Sequence, residues 1–207
     1  MSTKKNKLVP WLAALLLLSV GFNIYFISHT VKQRQQAELD WGKKLILGYY
    51  DASVFAGIMR DATGSLLDNP GVEQRLSYKY QIGLAYRFNQ AIPLLIAGAE
   101  KINGKPFKPM KYIPAHWFTE INNALGTIGS DGASLTEEEL SYVKTAHELF
   151  SQTAQLLEGF EVESTADDLA LAMAQGGAWV SIVEQINDLF AEAPEFLFTY
   201  RSTLGSK

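Results

Sequence analysis

The sequence predicts an all-α protein: a single N-terminal transmembrane helix followed by an extracytoplasmic antiparallel bundle of four or five helices. Three observations carry that expectation. No charge interrupts Leu8 to Val31, apolar residues recur at three- and four-residue steps through most later segments, and recognisable helix starts occur at Thr136 and at Asp167–Asp168.

The N-terminal segment "KKNKLVPWLAALLLLSVGFNIYFISHTVKQRQQ" has its hydrophobic part proper from Leu8 to about Ile27. Roughly 20 apolar residues rising about 1.5 Å each match a hydrocarbon core of about 30 Å. The h-region of a cleaved signal peptide is shorter, about 7 to 15 residues. Ser19-Val20-Gly21 does offer small residues at the spacing of a cleavage site, but cutting there leaves the apolar N-terminus "FNIYFIS" on a soluble product. A retained anchor over residues 8–28 is therefore the stronger expectation, with Trp11 and Tyr25 near the two interfaces. Lys4, Lys5 and Lys7 outnumber Lys32 and Arg34, so the positive-inside rule puts residues 1–7 in the cytosol as a short basic tail. That tail is too short for a domain, which places whatever functions on the outer side of the cytoplasmic membrane. "AIPLLIAGA", residues 91–99, is too short for a second span and contains a proline.

Residues 29–40 read as a polar juxtamembrane stalk, 41–192 as the bundle and 193–207 as a C-terminal tail. Trp41, Leu45, Tyr49, Phe55 and Met59 recur at mostly helical spacing up to an expected break at "DATGSLLDNPG". "LSYKYQIGLAYRF" alternates strictly and taken alone suggests a strand, for which the alternating "EFLFTY" at 195–200 offers a pairing partner. Thirteen residues is long for a strand, however. As a helix the segment carries two apolar rows, 76/80/84/88 and 78/82/86, and a helix apolar on two sides suits the middle of a bundle. "IPAHWFTEINNALGTIG" gives a short helix with Trp117, Ile121, Leu125 and Ile128 on one side. Thr136 and Glu139 form a capping box ahead of Leu140, Val143, His147, Phe150, Ala154 and Leu157. Leu169, Met173, Gly176, Val180 and Val183 repeat the pattern in one last helix, where Gly176 and Gly177 either permit close contact or weaken it.

Composition sets further bounds. A hydrophobic share of 47% with 4 Trp, 9 Tyr and 11 Phe suffices for a core, and the absence of cysteine excludes disulfides, CxxC redox chemistry and an acylated-cysteine anchor. The formal charge of −4 divides unevenly: residues 29–111 carry 12 basic and 7 acidic groups, residues 112–207 carry 3 and 15. Complementary faces folded against each other explain this asymmetry most simply, and an overall acidic exported chain is no nucleic-acid binder.

Motifs for chemistry fail on inspection. "TIGSDG" has Ile128 where a nucleophile elbow requires glycine, and a calcium loop placed on Gly132 would have Thr127 and Gly129 at its first ligand positions. "HEL" at 147–149 does not complete a zinc motif, so His147 is expected as a core histidine bonded to a neighbouring polar group. His29 and His116 read as interfacial and surface residues. No cofactor or metal is expected. One surface feature stands out: Lys101, Lys105, Lys108 and Lys111 in "KINGKPFKPMKY", interleaved with Phe107 and Met110. These lysines either touch an anionic surface or pair with the acidic half.

The expected function is a non-enzymatic, membrane-anchored interaction module that associates with another membrane or envelope protein. A sensor bundle with Tyr78, Tyr80, Tyr86 and Trp117 lining a pocket ranks second, and an enzyme last.

Overall fold

The computed structural model describes residues 8–68, 71–130, 134–160 and 167–198. The basic tail, Asp131 and Gly132 of the rejected calcium loop, and residues 199–207 of the expected tail lie outside these. Among the described residues every regular element is helical, and no strand occurs. Among the described residues there are seven α-helices, where a membrane helix and a bundle of four or five were expected: α1 (Leu8–Leu67), α2 (Val72–Ala85), α3 (Ala91–Asn103), α4 (Pro114–Thr127), α5 (Glu137–Glu158), α6 (Asp167–Gln175) and α7 (Ala178–Glu192). A short 3-10 turn, Tyr86–Phe88, follows α2.

The alternating segment 76–88 is thus helix and turn, as the i, i+4 rows anticipated. Two boundaries differ from expectation. α1 runs through Asp61–Leu67 before it ends, because Ala62, Thr63 and Leu66 continue its buried stripe and packing outweighs the turn-forming residues. The last expected helix is two helices. Gly176 and Gly177 adopt φ of 107° and 123°, a conformation that only glycine enters at low cost, and the chain turns there. The indole N–H of Trp179 spans the break by donating to the carbonyl of Met173 at 3.2 Å.

α1 contains 60 residues and so extends about 90 Å. Its first part is the one described helix long and apolar enough to cross a membrane, and none of that apolar stretch is buried. From Leu45 onward the same helix becomes the centre of the core. Leu45, Tyr49, Ala52, Phe55, Ala56, Met59 and Ala62 are all but inaccessible. The phenol of Tyr49 donates to the carbonyl of Leu157 at 2.9 Å, and its burial raises the pKa above the usual tyrosine range. Around Phe55 and Phe118, edge-to-face at 5.0 Å, Trp117 stacks on Phe190 at 5.0 Å and on Phe198 at 5.2 Å. Leu197 and Phe198, expected as tail, therefore belong to the core, and Tyr142 ties them by donating to the carbonyl of Leu197 at 2.9 Å.

α6 lies against the segment expected as a bare stalk. Leu171 and Gln175 share a groove with Lys32, Gln35 and Leu39. The approach is closest at Gly42, where a β-carbon would fall inside the backbone carbonyl of Ala170. The capping box of α5 forms as the sequence predicts: Glu139 N–H donates to Thr136 Oγ1 at 3.2 Å and Thr136 N–H donates to Glu139 Oε2 at 2.9 Å.

Candidate interaction surface

α2 carries the two apolar rows, and the structure separates them. Ile82 (2% exposed) and Ala85 point into the core, with Tyr78 and Tyr86 half-buried beside them and the Tyr86 hydroxyl 2.8 Å from that of Thr119. The other row faces outward: Val72, Leu76, Tyr80 and Leu84 are 47%, 61%, 68% and 43% exposed. α2 is accordingly an edge helix and not the middle of the assembly. The expectation of a helix buried on both sides is corrected, because nothing among the described residues packs over the second row. Four large apolar residues in one line differ from the scattered singles that any surface shows.

The flanks of this row are almost without charge. Between Glu73 and Arg87 the exposed positions are Gln74, Leu76, Ser77, Tyr80, Gln81, Gly83 and Leu84. Lys79 is half-buried and donates to the Ser130 hydroxyl at 2.9 Å, which ties its ammonium to the segment after α4. No atom comes within 4 Å of where a Gly83 β-carbon would sit, which leaves the helix backbone approachable there.

Below the row, α1, the 3-10 turn and α3 enclose a groove of about 510 Å³. Leu47, Phe88, Pro93 and Leu94 supply apolar walls, Gly48 part of the floor, and Lys44, Asp51 and Arg87 the charged rim. Gly48 lets the neighbouring helix come close, since a β-carbon would meet Leu94 Cδ2 at 3.0 Å and that side chain would have to yield. The Arg87 guanidinium lies 4.6 Å from the centre of the Phe88 ring.

The four lysines singled out from the sequence are divided. Lys108 pairs with Glu192 at 2.6 Å and Lys111 pairs with Glu195, which also accepts from Tyr112. Those bonds lower the carboxyl pKa values of Glu192 and Glu195 and raise those of Lys108 and Lys111. Lys101 sits 4.8 Å above the Trp41 ring, and Lys105 is exposed. Phe107 is not displayed but buried, its N–H donating to Glu100 at 2.9 Å, and Asn187 holds the loop by donating to the Lys108 carbonyl. Together with Lys43–Asp167 and Arg60–Glu158, these pairs join the basic and acidic halves of the sequence.

His147 is half-buried, with Nδ1 3.0 Å from the Arg60 carbonyl and Nε2 3.4 Å from the Ser151 hydroxyl. A carbonyl only accepts, so Nδ1 carries the proton and the ring is held as a structural donor. Among the described residues no three His, Asp or Glu side chains are grouped to hold a metal ion. Tyr78, Tyr80, Tyr86 and Trp117 do not line a common cavity: Trp117 is in the core and Tyr80 on the outside. The exposed row escaped the sequence reading because both rows of α2 are equally apolar; the charge-free interval from Leu76 to Tyr78 and from Tyr80 to Tyr86 was the available signal.

No protein-family model, curated protein or solved structure matches the chain.

Proposed function

We propose that this chain is a membrane-anchored interaction module without catalytic activity, whose docking face is the outward row of α2. In this reading residues 8–28 cross the cytoplasmic membrane, residues 1–7 lie in the cytosol, and the helical domain stands outside. The observation that carries the proposal is the combination within one chain of an all-round apolar segment and a separate, charge-poor apolar row. α1 passes from one into the domain core without a break. Depletion of charge with a central aromatic is the composition of a protein-binding patch, and a lipid headgroup or charged polymer would select the reverse.

Because the chain has no cysteine, single-cysteine variants report topology cleanly. Asn103→Cys in intact cells should react with a membrane-impermeant maleimide and Ser2→Cys should not. The reverse labelling pattern, or a chain that starts near Phe22 and is found in the medium, would overturn the anchored reading.

The groove beside Lys44 and Arg87 favours a second reading, the capture of an amphiphilic anion. A rise in melting temperature with medium-chain carboxylates, abolished by Lys44→Gln with Arg87→Gln, would support it over the first.

A further inference from the structure

We infer that the row Val72, Leu76, Tyr80 and Leu84 docks a second copy of this chain held in the same membrane. The inference rests on the anchored reading above and names its partner.

The first argument is height. α1 is a single helix from the apolar segment through the core, so each anchored copy holds α2 at the same distance from the bilayer. Phe88, just after α2, lines the same groove as Lys44 and Asp51, which places the end of α2 roughly 25 Å or more beyond Ile27. Two neighbouring copies therefore meet with identical faces at identical heights. Identical patches related by a two-fold axis along the membrane normal make a closed, isologous contact.

The second argument is shape. Residues spaced by four form an i±4n ridge, and two such ridges interdigitate at a crossing angle of about −50°. The two-fold axis then bisects that angle, and each α2 tilts by about 25° from it. Gly83 and Ser77 flank the ridge with small side chains, and no exposed charge lies between Glu73 and Arg87 to be desolvated.

Area decides where this dimer exists. Four side chains exposed to this degree present on the order of 400 Å² per copy, about half of the ~800 Å² per partner in a stable soluble complex. Such a contact is weak between freely diffusing molecules. Confinement to one plane in a common orientation raises the effective concentration and removes much of the orientational cost. The chain is thus a dimer in the membrane and a monomer when its copies are separated.

The test uses the full chain in proteoliposomes of neutral phospholipid, with Ser77→Cys or Gln81→Cys beside the ridge and Gln155→Cys on the exposed face of α5 as the control. Mild oxidation should link copies through positions 77 and 81 but not 155. Cross-linking should fall as lipid is added at constant protein, and should drop about tenfold or more when Tyr80→Glu is combined with Ser77→Cys. Equal linking at 155, no linking at 77 and 81, or indifference to Tyr80→Glu would each overturn the inference. Indifference to Tyr80→Glu would assign any dimer to the apolar segments instead. Loss of the second-copy proposal leaves the anchored module standing if the maleimide pattern holds; failure of that pattern removes both.

Discussion

The two parts of α1 are made of similar residues and have opposite fates. Between Trp11 and Val31 the large apolar side chains are exposed on every side of the helix; between Leu45 and Leu66 most lie on one stripe and are buried, with Leu47 and Tyr50 the exposed exceptions. A helix apolar all round is stable only where its surroundings are apolar, whereas a striped helix needs one protein partner and tolerates water behind it. Gly42 lies close to the change, where the α6 backbone comes so near that a β-carbon would fall inside the Ala170 carbonyl. α2 repeats the contrast on a smaller scale, with Ile82 inside and Leu76, Tyr80 and Leu84 outside.

The sharpest way to break this comparison is to remove an aromatic ring from each part of α1. Phe55→Ala should destabilise the domain by about 3–5 kcal/mol, since Phe55 packs on Phe118 and Phe150. Phe22→Ala should leave the denaturation midpoint of the domain unchanged within about 0.5 kcal/mol. Equal effects, followed by Trp fluorescence in detergent micelles, would mean that the apolar segment is part of the core.

A glycine pair gives the next largest difference. Gly42→Ala sets a methyl against the Ala170 carbonyl and should cost about 1–3 kcal/mol by forcing α6 away. Gly21→Ala meets nothing within 4 Å and should be neutral or slightly favourable to the helix. Exposure of α6 amides to hydrogen exchange in the first variant and not in the second checks the mechanism.

On α2 the comparison is between rows. Ile82→Ala should lose about 2–5 kcal/mol, while Leu76→Gln with Tyr80→Gln should change folding stability by no more than about 0.5 kcal/mol for each substitution. A large loss from the outward pair would show that the row is covered within the folded chain itself.

The smallest effect concerns the ion pairs of the lysine loop. Glu192 and Glu195 have pKa values lowered by Lys108 and Lys111, so their contribution is present above the ordinary carboxylate range. It is lost as pH falls through the lowered values. Lys108 and Lys111 are raised, so at the other end the contribution disappears as pH climbs through the ordinary lysine range and beyond. Because all four groups are solvated, the effect should be slight and should fade in high salt. Glu192→Gln with Glu195→Gln should flatten the acid limb of a melting-temperature profile; an unaltered limb would assign the acid sensitivity elsewhere.

Much of the helix inventory was legible because its causes are local. The capping box at Thr136–Glu139 needs only residues three apart, the stripe of α5 needs only a 3.6-residue period, and the apolar run from Leu8 needs only composition. Charge asymmetry likewise announced ion pairs between the halves, though not which lysine meets which carboxylate. The burial of Leu197 and Phe198 within the expected tail was not legible because it depends on partners far away in sequence, Tyr142 and Trp117.

By itself, then, the sequence determined that the chain is helical and that its N-terminal segment is long and apolar enough to cross a membrane. Only the tertiary structure decided which row of α2 is covered, that Gly176–Gly177 is a turn, and that α6 packs along α1 beside Lys32, Gln35 and Leu39. Each of those outcomes depends on a competition among surfaces of similar hydrophobicity. Burial is non-directional, so it is settled by which neighbour fits and not by the local residues themselves.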